Sequence, residues 1–270
     1  MKNMEDKMKK YLITGLLLLV IVFAFAERKA LVIANWNYPN AVLKSPKADA
    51  DSIAAALEGV NFNITRLNNA NLNSMKSAID TLAAHLSSED EVVFYFSGHG
   101  TNYKNVNYLV PAGVNLASQL TIDNNCYSLS ALSNKLKNAK TSIIIVEASK
   151  IWGIPDGKAT NPKTFVSMKS ATPKQVIIFS SQPGKIVQNS NLTKSVFSMA
   201  MAKYIATSEV GLNEFFPVLS NEIMQKTGNA QKPWISGTLS NDFIFNTNLQ
   251  KGMWKSPSPR PKIGGGSLSW

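Results

Sequence analysis

Two short stretches of the chain carry side chains suited to covalent chemistry. His99 stands in Ser97-Gly98-His99-Gly100 directly after an apolar run, and Ser149 stands in Glu147-Ala148-Ser149 directly after Ile143-Ile-Ile-Val146. An imidazole can take the proton of a hydroxyl, and a hydroxyl so activated can attack a carbonyl, so the pair suits acyl transfer if the fold brings it together. Taken singly, each has a plainer reading: His99 as a turn residue with a satisfied ring, Ser149 as the cap of the next element. The second histidine, His85, falls on a helical stretch and is given no role. One cysteine and two histidines cannot close a Cys/His zinc cage, and one cysteine forms no internal disulfide. A catalytic thiol would have to be Cys126 or be absent.

Positioning those residues is the task of an alternating pattern that starts at Lys29. Ala30-Leu-Val-Ile-Ala34 is a compact apolar run suited to a strand covered on both faces. Ala48 to Leu57 has helical spacing with Asp49 and Asp51 in its first turn, where carboxylates favour the positive helix end. Asn61 to Leu67 reads as a strand and Asn71 caps a helix to about His85. Glu91 to Ser97 is a third strand ending at Gly98, followed by a hairpin-like stretch near Asn107 to Val110. Ser128 to Leu136 reads as a helix, Ser142 to Glu147 as a fourth strand and Gln175 to Ser180 as a fifth. Helices follow at about Ser195 to Ile205 and Leu212 to Gln225, and a last short strand falls near Asp242 to Phe245. This order predicts an α/β domain with a largely parallel sheet and helices on both faces. In such sheets ligands gather beyond the carboxyl ends of the strands, where His99 and Ser149 both fall.

Composition sets the surroundings. The 270 residues are 44% hydrophobic and 17% charged, which excludes a disordered polyelectrolyte. Lys2, Lys7, Lys9 and Lys10 precede an uncharged run from Tyr11 to Ala26 that ends in Ala24-Phe-Ala26, so residues 1–26 read as a cleaved secretory signal. The rival is an uncleaved inner-membrane anchor, thin at about 24 Å against a hydrocarbon core of about 30 Å. No cysteine follows the run, which excludes a lipid-anchored start. Either reading places the protein in the periplasm or outside the cell. The net charge of +11 is concentrated in a basic loop, residues 150–174, and in a basic Pro/Gly-rich tail, residues 249–270. Neither interleaves aromatics with its basic residues, so no nucleic-acid partner is expected. Solvated loops are the simple reading, and contact with an anionic envelope surface is the sharper one.

Arg28-Lys-Ala-Leu-Val-Ile-Ala-Asn35, Leu43-Lys-Ser-Pro-Lys-Ala-Asp49, Val93-Phe-Tyr-Phe-Ser-Gly-His-Gly100, Asn107-Tyr-Leu-Val-Pro111 and Ile143-Ile-Ile-Val-Glu-Ala-Ser149 together resemble the caspase-like peptidases, closest to the bacterial metacaspases. Phe179-Ser-Ser-Gln-Pro-Gly184, Ser195-Val-Phe197 and Gln231-Lys-Pro-Trp234 are similar to the smaller part of that domain. The resemblance implies a three-layer αβα sandwich with a mostly parallel sheet of about six strands over residues 27–248. It further implies a large-subunit-like part at 29–149 and a small-subunit-like part at 175–248. It makes His99 the catalytic base and Ser149 the occupant of the position where the family carries its nucleophilic cysteine. It also implies a pocket for a basic side chain built from Asp49, Glu147 and Ser97, in which Glu147 is one methylene longer than the family's aspartate. Some relatives need calcium, although nothing in the residues asks for a metal or cofactor.

A hydroxyl needs more help than a thiol, and efficient serine hydrolases orient their histidine with a carboxylate, for which the sequence offers no obvious candidate. The first expectation is therefore an impaired pseudo-peptidase that binds polypeptide through Lys or Arg. The second is a live endopeptidase cleaving after Lys or Arg, with Ser149 attacking, His99 relaying the proton, and the backbone N–H groups of Gly100 and Ser149 holding the oxyanion. The third is an envelope surface-binding protein that uses its basic loop and tail.

Overall fold

The computed structural model describes residues 26–39, 42–114, 122–150, 164–185, 192–238 and 243–247, with the backbone alone at residues 149 and 150. The expected leader, nearly all of it, the basic tail and much of the basic loop lie outside the described residues. Among the described residues no helix is long and apolar enough to cross a membrane.

The elements are β1 (Arg28–Ala34), α1 (Pro46–Gly59), β2 (Asn63–Asn68), α2 (Leu72–Ala84), β3 (Glu91–Tyr103), β4 (Val106–Leu109), α3 (Ile122–Asn125), β5 (Tyr127–Ser128), α4 (Leu129–Lys135), β6 (Thr141–Lys150), β7 (Gln175–Phe179), α5 (Val196–Thr207), α6 (Leu212–Lys226) and β8 (Trp234–Ser236). The sheet runs β2-β1-β3-β6-β7-β8, parallel except for β8, with β4 and β5 attached to β3 as an antiparallel extension. The expected α/β architecture with a mostly parallel sheet is therefore the observed one, two short strands larger than expected.

The apolar runs are continuous because both faces are covered. Successive side chains in a strand point to opposite sides. Val32, Val93, Tyr95, Ile143, Ile145 and Ile178 accordingly pack under α1, α5 and α6, while Leu31, Ile33, Phe94, Phe96, Ile144 and Ile177 pack under α2 and α4. Helix starts follow the local chemistry. Asn71 Oδ1 accepts from Ser74 N at 2.9 Å, Ser128 Oγ from Ala131 N at 3.3 Å and Ser195 Oγ from Ser198 N at 2.8 Å, each satisfying an amide that the first turn leaves open.

Two strand expectations are corrected. β3 does not end at Gly98; it runs through His99 to Tyr103. Lys104 and Asn105 take φ of 48° and 63°, the two-residue turn whose twist suits a hairpin, and this lets β4 pair with Gly100 to Tyr103. The second concerns the alternation near Asp242 to Phe245. Residues 239–242 lie outside the described residues, and residues 243–247 form no strand. Phe243 and Phe245 pack into the core beside Phe215, and the carbonyls of Ile244 and Phe245 accept from the Arg28 guanidinium at 2.8 and 2.7 Å. Their polar groups are satisfied by a side chain rather than by a neighbouring strand. The last strand among the described residues is β8, inside which the Gln231-Lys-Pro-Trp234 stretch ends.

Candidate active site

The site is assembled where β3 and β6 lie side by side. Their parallel register sets Ser97 opposite Glu147, Gly98 opposite Ala148, His99 opposite Ser149 and Gly100 opposite Lys150. The two stretches singled out in the sequence thus meet at one level of the sheet. His99 is buried and firmly held: its N–H donates to Tyr38 Oη at 3.0 Å, its carbonyl accepts from Val110 N at 2.9 Å, and its ring lies 4.5 Å from the Tyr38 ring. Tyr38 Oη in turn donates to Val110 O at 3.0 Å. Burial pushes the Tyr38 phenol well above its usual range, so it stays a donor.

The glycines flanking His99 serve close packing within the chain. A Cβ on Gly98 would stand 2.6 Å from Tyr38 Oη, and one on Gly100 would stand 2.3 Å from the Phe165 ring and 2.7 Å from Ala148 Cβ. Tyr38 and Phe165 are the residues the sequence reading missed. Each sits in an irregular segment far from His99 in the chain, and no local pattern marks either.

Asp49 from α1, Ser97 from β3 and Glu147 from β6 come together on the α1/α5 side of the sheet, at 0%, 2% and 5% exposure. Asp49 Oδ1 accepts from Ser195 N at 2.7 Å and from Ser198 Oγ at 2.6 Å, so it holds the head of α5. Glu147 Oε2 accepts from Tyr95 Oη at 2.8 Å. Asp49 Oδ2 and Glu147 Oε1 are buried without a hydrogen-bond partner, and among the described residues no Lys or Arg forms an ion pair with either carboxylate. Burial, reinforced by the charge of Asp49, pushes the Glu147 carboxyl up to about 8 against the pull of the Ser195 and Tyr95 hydroxyls. Burial raises Asp49 too, offset by the Ser195 N–H and the Ser198 and Ser45 hydroxyls. The cluster is therefore two buried carboxylates, each with one oxygen that no donor meets.

Cys126 lies elsewhere, buried with Tyr108, Val110 and Ile122 beneath the β4 strand, and burial together with the Asp123 charge pushes its thiol up to about 12. A thiol so raised is not a nucleophile at neutral pH. His85 caps the end of α2, exposed, with Nδ1 2.8 Å from Thr81 O. Among the described residues no three His, Cys, Asp or Glu side chains converge in a way that could hold a metal ion.

This combination of a largely parallel sheet with helices on both faces and a histidine within β3 set opposite the last residues of β6 is that of a caspase-type domain. The caspase domain model of the peptidase C14 family matches residues 27–244, and the chain belongs to that family. Among solved structures, it is similar to the Drosophila initiator caspase Dronc at 14% identity, with a TM-score of 0.54 over 78% of this chain and 79% of that one. It is also similar to a protein of Geobacter sulfurreducens at 15% identity, with a TM-score of 0.59 over 82% of this chain and 98% of that one. Both likenesses are of fold. A search of curated proteins finds no significant match.

Proposed function

We propose that this caspase-domain protein is an exported pseudo-peptidase: it has lost most or all peptide-bond cleavage and holds polypeptide through Lys or Arg side chains at the Asp49/Glu147/Ser97 pocket. One observation carries this reading. The β3–β6 register sets a serine backbone opposite His99, while the chain's one cysteine is buried elsewhere with its thiol raised. Loss of an acyl-transfer nucleophile costs on the order of 10⁶ in turnover. A hydroxyl in a site shaped for sulfur recovers little of that without a carboxylate to orient the histidine.

The pocket supports the binding half of the reading. Two buried carboxylates with an oxygen each to spare and, among the described residues, no ion-pair partner match the charge and hydrogen-bonding needs of an ammonium or guanidinium group. Ser195 and Ser198 cover the pocket, so a guest gains access by shifting the head of α5 off Asp49. Export rests on residues 1–26 alone, and contact of the basic loop and tail with anionic envelope polymer is a secondary role compatible with it.

The test compares wild type, Ser149→Cys and Ser149→Ala on peptides with Arg or Lys before the scissile bond, with and without calcium. The expected result is no cleavage by wild type or Ser149→Ala and measurable cleavage by Ser149→Cys. Wild-type cleavage that Ser149→Ala abolishes would overturn the proposal in favour of a serine-type endopeptidase.

A further inference from the structure

We propose that a basic side chain enters the Asp49–Glu147 pocket in exchange for one proton, so that polypeptide binding at this site is coupled to proton release. The inference rests on the reading of this pocket as a Lys/Arg site and adds to it a regulation by pH.

The four carboxylate oxygens are unequally served. Asp49 Oδ1 receives two donors and Glu147 Oε2 receives one, whereas Asp49 Oδ2 and Glu147 Oε1 receive none. The Ser195 N–H serves Asp49, its hydroxyl donates to Ser198 Oγ at 2.9 Å, and the Asp49 charge acts on Glu147. Two neighbouring carboxylates taken out of water cannot both stay ionised unless a cation joins them. A single proton relieves the conflict. Placed on Glu147 Oε1, it turns an orphan acceptor into a donor and removes one of the two interacting charges. Asp49, with two donors on Oδ1, is the better-supported anion.

The surrounding groups leave that arrangement intact. From β3 comes Tyr95, its phenol raised by burial and by both carboxylates, so it remains a neutral donor. From the head of α5 come only hydroxyls and an amide, and Lys194 just before it acts on Asp49 from an exposed position. Burial and the Asp49 charge hold the Glu147 proton up to about pH 8.

A guest ammonium or guanidinium supplies the missing positive charge, and the Glu147 proton then leaves to the buffer. The protonated carboxyl and the free cation become a carboxylate–cation pair plus one hydrogen ion. The apparent association constant should therefore rise about tenfold per pH unit below the Glu147 midpoint and level off above it.

Calorimetry on the full chain tests this with a short blocked peptide containing one Arg and with its citrulline counterpart, at about pH 6.5 and about pH 9.5, either side of that midpoint. At the lower pH, two buffers of different ionisation heat report the protons released. The expected result is close to one proton released at the lower pH, none at the higher, tighter binding at the higher, and no binding of the citrulline peptide. Glu147→Gln should abolish the proton release and flatten the pH dependence. Arg-peptide binding of equal strength at both pH values would overturn the exchange while leaving the Lys/Arg reading standing. Absence of Arg-peptide binding at the higher pH would overturn that reading, and the exchange with it. A carboxyl-carbon NMR titration of the unliganded wild type is independent of any guest: a Glu147 midpoint in the ordinary carboxylate range would overturn the exchange by itself.

Discussion

At the amino ends of the strands, Arg28 gives its guanidinium to Glu91 at 2.9 Å and to the carbonyls of Val60, Ile244 and Phe245, and its flat face lies 4.2 Å over the Phe62 ring. Lys29 beside it pairs with Asp90 at 2.7 Å and Glu27 at 2.9 Å. At the carboxyl ends of the strands, Asp49 and Glu147 are buried too, but among the described residues neither forms an ion pair. One end of the sheet closes its charges among themselves and ties down the start and end of the domain. The other leaves its carboxylates open, which a stability requirement alone does not explain, since apolar residues of similar volume would pack there at lower cost. The difference separates the end that holds the fold from the end we propose meets a guest.

The strongest way to break this comparison is at the closed end. Arg28→Met removes an ion pair and three carbonyl bonds at once and should lower the unfolding free energy by about 3 kcal/mol, read from urea denaturation. A loss below about 1 kcal/mol, the worth of an exposed pair, would mean that the amino end is not the anchor. Next comes Gly100→Ala at the open end. Its Cβ would meet the Phe165 ring at 2.3 Å and Ala148 Cβ at 2.7 Å, so the variant should lose about 1–3 kcal/mol in the same measurement.

The subtlest test uses pH, because the two ends fail in opposite directions. Asp90 is held below its usual value of 3.8 by Lys29 and by the amides of Ser87 and Glu27 despite its burial. Its contribution is present above that value and disappears as pH falls through the folded one. Glu147 is raised from 4.5 to about 8, so over that window the unfolded chain gives up its proton first and stability falls as pH rises. Asp90→Asn should therefore flatten the acid limb of the stability profile and leave the neutral-to-alkaline limb alone. Glu147→Gln should do the reverse and be the more stable protein at about pH 9. A flattening of the same limb by both variants would erase the distinction between the ends.

The strands that build the site were legible because they are buried on both faces, which leaves long β-branched and aromatic runs in β1, β3, β6 and β7 with nothing else to be. The helices declared themselves through Asn71, Ser128 and Ser195. His99 and Ser149 could be singled out because strand ends in parallel sheets are where chemistry gathers. The pocket group of Asp49, Glu147 and Ser97 came from likeness to a family. The continuation of β3 past His99 was hidden because its hairpin turn uses Lys104 at a positive φ, where Asn or Gly would have given a signal. Phe243 and Phe245 imitate strand alternation, while the carbonyls of Ile244 and Phe245 accept from an arginine more than 200 residues away. The covering of Asp49 was invisible for a similar reason: Ser195 reads as an ordinary helix start, and nothing local says that an aspartate 146 residues earlier shares the task.

That shared cap has a further consequence for covalent continuity. Asp49 and Ser195 lie on opposite sides, in sequence, of the long basic loop, as do β6 and β7, which pair over five residues from Ser142–Gln175 to Val146–Phe179. A single peptide bond cut between Lys150 and Gln175 would divide the chain in two without dividing the core, since α1 and α5 share one apolar cluster across the cut. The nicked molecule should run as one species in gel filtration and as two bands on a denaturing gel.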